Sequence, residues 1–129
     1  MGARKRGQSS EPFSSARFFE SLPVPVLVTD AKGLIVSWNG PMTEAQQTSA
    51  VEALGKHHSE VFSLTGETES PIESCLASPE KRTIEGAKIA GFEAPSRLTV
   101  APVFDDAETL EALVVTCEPE QHKEELEEL

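Results

Sequence analysis

Two short apolar runs lie either side of a polar tetrapeptide near the start of the chain. Val24, Val26 and Val28 alternate with other residues, then come Asp30 and Gly33 in "DAKG", then Leu34, Val36 and Trp38 alternate again. Period-two alternation around turn residues predicts two strands joined by a tight turn. In front of them Phe13, Arg17 and Phe18 fall near helical spacing, with Leu22 one turn on. Ser14 or Ser15 can cap that helix, which has to stop before Pro23 and Pro25.

After Trp38 the period changes. Asn39 is suited to cap a helix, and Pro41 sits in the first turn, where its missing N–H costs nothing. Up to Phe62 the chain is rich in helix formers, which predicts two or three short helices with breaks near Thr48-Ser49 and at Gly55. Pro71 opens a further helix with Ile72, Cys75 and Leu76 on one face, ended by Ser78-Pro79.

In the last third alternation returns. "KRTIEGAKIAG" is a weak, exposed strand. "PSRLTVAPVF" sets Leu98, Val100 and Pro102 against Arg97, Thr99 and Ala101. After the acidic turn "DDAE", "TLEALVVTCEP" sets Leu113, Val115 and Cys117 against Val114 and Thr116. From Glu118 the chain is polar and helix-prone, with Leu126 and Leu129 too short a seam to define a coiled coil. Strand pairs at both ends with helices between them make an α+β domain: an antiparallel sheet covered on one face by short helices.

Composition narrows the function. The 129 residues carry 22 acidic against 11 basic groups, a formal charge of -11. Nucleic acid and anionic membrane both demand a basic face, so neither is an expected partner of this domain. An acidic surface with few lysines fits a salt-loving organism, and equally any well-solvated surface. Cys75 and Cys117 are too far apart for a metal-ligand spacing and lie among apolar neighbours, which suits free thiols in the reducing cytoplasm. No apolar run approaches the ~20 residues of a membrane span, and the basic N-terminus leads into no apolar segment of the secretory kind.

The order of these elements and their punctuation resemble the PAS domain, a sensory module of histidine kinases, chemotaxis transducers and transcription regulators. "LPVPVLVTDAKGLIVSWNG" is similar to the family's first strand ending in Asp, its Gly turn, and a second strand ending in aromatic-Asn. "EALGKHHSEVF" is similar to its later helix end, and "SPIESCLAS" stands where its pocket-facing helix runs. The resemblance implies a five-stranded antiparallel sheet in the order 2-1-5-4-3 with flanking N- and C-terminal helices. It divides the chain into a flexible tail at 1–12, a PAS-like sensor domain at 13–118 and the start of an exit or signalling helix at 119–129. Asp30, Gly33, Trp38, Asn39 and Gly55 become structural motif residues of that scaffold rather than a site.

Function follows by the same resemblance: a cytoplasmic regulatory domain of a two-component or related signalling protein, which can itself be membrane-bound. It would bind a small molecule in an apolar pocket, form a homodimer through the front helix with Phe13, Phe18 and Phe19, and pass its signal to an output domain. The pocket is expected around Val28, Ile35, Phe62, Ile72, Cys75, Leu76, Leu98, Val100 and Val115. A ligand-free dimerisation module is the main alternative, and a small α+β enzyme a third. No Gly-x-Ser-x-Gly elbow or phosphate loop is present, so no catalytic residue is assigned.

Candidate chemistry is sparse. Haem-binding members of the family take their axial histidine from the pocket-facing helix, and "PIESCLAS" has none. The flavin-binding "NCRFLQ"-like run is absent, and there is no tyrosine to hold a phenolate chromophore. Neither haem nor flavin is therefore expected, and Cys75 is read as a packed or pocket-lining thiol. His57 and His58, as neighbours on a helix, would point ~100° apart and not converge, so no metal ligand is assigned. Arg97 is expected to face outward from its strand.

Overall fold

A computed structural model describes residues 21–66 and 69–119. The tail at 1–12, the body of the front helix with its phenylalanines, and the exit helix beyond Pro119 lie outside the described residues. In chain order the elements are β1 (Val26–Asp30), β2 (Ile35–Trp38), α1 (Gly40–Gln46), α2 (Ala50–Ala53), a 3-10 turn at His58–Glu60, α3 (Pro71–Ala77), β3 (Arg82–Ala87), β4 (Ser96–Phe104) and β5 (Leu110–Pro119). The strands form one antiparallel sheet in the order β2-β1-β5-β4-β3, the order expected.

The β1–β2 and β4–β5 turns close by the same device. Asp30 Oδ1 accepts from the backbone N–H of Lys32 and Leu34, at 2.9 and 3.0 Å. Asp105 Oδ1 accepts from Ala107 and Thr109, both at 2.9 Å. Such Asx turns satisfy backbone donors that the reversing chain would leave unpaired. Each turn also needs a left-handed residue three places after the Asp: Gly33 at φ 89° in the first, Glu108 at φ 62° in the second.

Asn39 joins strand to helix. Its Oδ1 accepts from Val26 N–H at 3.0 Å and from Met42 N–H at 3.1 Å, so one oxygen both completes β1 and caps α1. Its Nδ2 donates to Val24 O at 2.9 Å, and its backbone N–H donates to Val26 O at 3.2 Å. The residue is fully buried. Beside it, buried Trp38 donates from Nε1 to Thr48 O at 2.9 Å, anchoring the break between α1 and α2.

One face of the sheet carries the core. Leu27 pairs with Trp38 and Val115, Thr29 with Ile35 and Leu113, and Leu98 with Cys117. These side chains are buried, and Met42, Ala53, Phe62, Ile72 and Cys75 close over them from the helical layer.

The predicted phase of the first hairpin needs correcting. Leu27 and Thr29, rather than Val28, face the core; Val28 pairs with Ser37 and Val114 on the outer face and is half-buried there. In β2 a bulge absorbs Val36, which is 51% exposed, so Ile35 and Trp38 can both point inward although three residues apart. One extra residue in a strand shifts its alternation in just this way. The late strands keep the predicted phase, with Leu98, Val100, Leu113, Val115 and Cys117 all buried.

Asn39→Ala is expected to lose about 2–4 kcal/mol in urea unfolding, because it removes a helix cap and leaves buried Val26 N–H without a partner. Glu108→Gly is expected to gain about 0.5–1 kcal/mol by relieving a left-handed non-glycine residue, and a loss in the same assay contradicts that account.

Candidate functional site

The first candidate region is the apolar layer between helices and sheet. Ile35, Phe62, Ile72, Cys75, Leu98, Val100 and Val115 belong to one buried cluster, and Leu76 packs against it half-buried. Of the nine predicted pocket residues, only Val28 lies elsewhere, on the outer face. α3 brings Ile72 and Cys75 down onto β4 and β5. Ser70 accepts from Glu73 N–H to cap it, and Pro71 occupies the first turn.

At the other end of α3, Arg82 Nη2 donates to Ser74 O at 3.1 Å and Ser78 O at 2.8 Å, placing a cation on the C-terminal carbonyls of the helix, of which Ser74 O also accepts from Ser78 N–H. A groove of about 300 Å³ runs beside this capped end, between Pro71, Ser74, Arg82, Ile84 and Leu64.

Both cysteines are free and buried. Cys75 Sγ donates to Glu80 O at 3.3 Å. Burial pushes the Cys117 thiol up to about 12, so it stays protonated and unreactive. Arg97 faces outward and pairs with Glu85 at 3.0 Å and Glu118 at 3.7 Å across the sheet.

The second region was not legible as a site. The segment after α2 returns along the edge of β2: Ile35 N–H donates to Lys56 O, Gly55 N–H to Ile35 O, and His58 N–H to Gly33 O. This covers the open edge strand and carries both histidines to the first hairpin turn. His57 is not on a helix. It has extended backbone and caps the 3-10 turn, with Nδ1 accepting from Ser59 N–H. The expected divergence of the two rings is therefore overturned.

The rings stack with centroids 4.3 Å apart and an interplanar angle of 34°. Both Nε2 atoms approach Glu73 Oε2 on α3, at 3.3 Å from His57 and 2.8 Å from His58. His58 is buried while His57 and Glu73 are partly exposed, so the cluster opens to solvent on one side. Burial pushes the His58 imidazole below its usual value; the bond to Glu73 opposes this and nearby His57 adds to it. Its Nδ1 is buried without a partner.

Gly33 backs the pair. A Cβ there would sit 3.0 Å from His57 Nε2, 3.2 Å from His58 Cδ2 and 3.2 Å from Leu76 Cδ1. The hairpin turn, the histidine segment and α3 thus meet at one glycine. His57, His58 and Glu73 are the group of His, Cys, Asp or Glu among the described residues able to share one metal ion.

Comparison with known proteins agrees with the sheet order. A family model described as "PAS fold" matches residues 16–119. Among solved structures, the chain is similar to the PAS domain of histidine kinase ThkA, at 18% identity and TM-score 0.61, covering 74% of this chain and 97% of that one. The PAS domain of an HTR-like protein from Haloarcula marismortui matches at 20% identity and TM-score 0.60, covering 81% and 88%. The PAS domain of nitrogen regulation protein NR(II) from Vibrio parahaemolyticus matches at 15% identity and TM-score 0.60, covering 83% and 98%. No curated protein sequence is detectably similar.

Two glycines separate backbone cost from crowding. Gly55 is left-handed at φ 87° with nothing within 4 Å of a Cβ, whereas Gly33 is left-handed and crowded. Gly55→Ala is expected to cost about 1 kcal/mol, and Gly33→Ala visibly more in the same urea titration. Equal losses would mean that the histidine pair yields without cost. Iodoacetamide at pH 8 is expected to leave Cys75 and Cys117 unmodified in the native chain and to modify both in urea.

Proposed function

The chain belongs to the PAS family, and on that footing we propose that it is a regulatory, non-catalytic sensor domain of a cytoplasmic signalling protein. The observation that carries this reading is the position of β5. It pairs with both β1 and β4, buries Leu113, Val115 and Cys117 under the helical layer, and is the last described element, ending at Pro119. A change in how α3 sits on the sheet is therefore felt by the strand that leads to the exit segment.

The input is a small, apolar and uncharged molecule held between α3 and the sheet. The chemistry supports that class: Ile35, Phe62, Ile72, Leu98, Val100 and Val115 supply no charge, and the Cys75 thiol already bonds Glu80 O. A charged ligand would be desolvated there without compensation. Output is dimerisation together with a change in the attached domain. In support, the outer sheet face shows half-buried Val28, Ala101 and Val114 beside exposed Val36 and Val103, a patch suited to a front helix and a second copy.

A second reading, a dimerisation module without ligand, draws on the same cluster. Its members are at most 5% exposed and close over one another.

Native mass spectrometry and an absorption spectrum of the purified chain distinguish the two. A mass above the polypeptide, matched by an apolar molecule, is the expected result. A bare polypeptide that sediments as a dimer would move the function to the second reading. A bare monomer would contradict both.

A further inference from the structure

We propose that His57, His58 and Glu73 form a binding site for a divalent first-row transition ion of the Zn²⁺ class, at the junction of the β1–β2 turn with α3. This site is independent of the apolar cluster and of any ligand held there.

The donors fit the ion. Two imidazole nitrogens and a carboxylate oxygen are a donor set that zinc accepts in open, three-protein-ligand sites, with water as the fourth ligand. Ligand bonds of ~2.0–2.1 Å in a tetrahedron place donor atoms roughly 3.3 Å apart. The His57 Nε2–Glu73 Oε2 separation is 3.3 Å, and all three donor atoms lie within 4.8 Å of one another. The His58–Glu73 contact, at 2.8 Å a hydrogen bond, has to open by about half an ångström to admit an ion, and the two imidazole nitrogens lie within the same 4.8 Å.

The scaffold holds the rings in place. His58 N–H is bonded to Gly33 O at 2.9 Å, and the rings lie against Gly33, where any side chain would displace them. Glu73 stands in the first turn of α3, fixed by the cap at Ser70. His57 and Glu73 face solvent, which gives an ion its route in.

One feature limits the strength of the site. Ligation through Nε2 requires the His58 proton to sit on Nδ1, and that buried atom has no partner. Ligating histidines ordinarily donate the second N–H to an acceptor. The site is therefore suited to reversible occupancy rather than to a permanent structural ion. Occupancy would tie the segment at 57–58, and through it the first hairpin, to the helix that lies over β4 and β5.

Isothermal titration of the full chain with Zn²⁺, repeated with Co²⁺ followed by visible absorption, tests this. One ion per chain, a tetrahedral Co²⁺ spectrum and a raised Tm are expected, with no response to Mg²⁺, which prefers all-oxygen ligands. His57→Gln and Glu73→Gln change partly exposed side chains and should weaken binding by about tenfold or more. Absence of binding, binding retained in both His57→Gln and Glu73→Gln, or a Mg²⁺ response equal to that of Zn²⁺ would each overturn the assignment.

Discussion

Asn39 is the constraint on which the rest of the structure depends. Its side-chain oxygen completes the start of β1 through Val26 N–H and the start of α1 through Met42 N–H, and its amide nitrogen reaches Val24 O. Only an uncharged side chain with both an acceptor and a donor can do all three in a buried position. Aspartate would bring an unpaired charge, and serine would be too short to span strand and helix. Because the bonds are made at the end of β2, the helical layer starts directly over the hairpin. Met42, in the first turn of α1, drops into the core that Leu27 and Trp38 open.

From that start the chain has little freedom. The helical segment after Trp38 returns to the hairpin, and its last stretch lies along the edge of β2 through Ile35, Lys56 and Gly55. Edge pairing protects a strand that would otherwise offer its backbone to other chains. It also fixes where His57 and His58 must fall. They meet Gly33 because the turn there is closed by Asp30 and has no side chain of its own.

Much of this was legible in the sequence. Asn39, Asp30, Gly33, Pro41 and Pro71 are local signals whose geometry depends on the few residues around them, so they read correctly without tertiary knowledge. The strands from Ser96 to Pro119 also read correctly, since a long unbroken alternation has one phase. The first hairpin did not, because the bulge at Val36 breaks its phase and because β1 is apolar on both faces. Val26 and Leu27 are both buried, so alternation alone could not say which was inside and Val28 was misplaced. The histidine cluster was out of reach for a different reason. Glu73 is fifteen residues from His58, and nothing local announces that His57 caps a 3-10 turn in extended backbone rather than continuing a helix. The clue available was the pair "HH" just after Gly55, whose left-handed turn ends the helical run and frees the next residues from helical geometry.

The two regions on either side of α3 differ in the physics by which they can act on the sheet. Below the helix, contact is apolar and close-packed, so Ile72 and Cys75 respond to volume: what enters must displace side chains, and β4 and β5 feel the displacement directly. Above it, Glu73 meets two rings on the segment that lines the edge of β2, by a hydrogen bond to His58 and an ion-pair contact with His57, so there the helix can respond to charge and coordination instead. Both proposed inputs converge on one short helix of seven residues, anchored at one end by Ser70 and at the other by Arg82 on β3. A helix so short has little internal cooperativity and keeps its form through these external contacts. Its placement therefore rests on those contacts, and under the proposed function it is the part through which a bound species would reach β5.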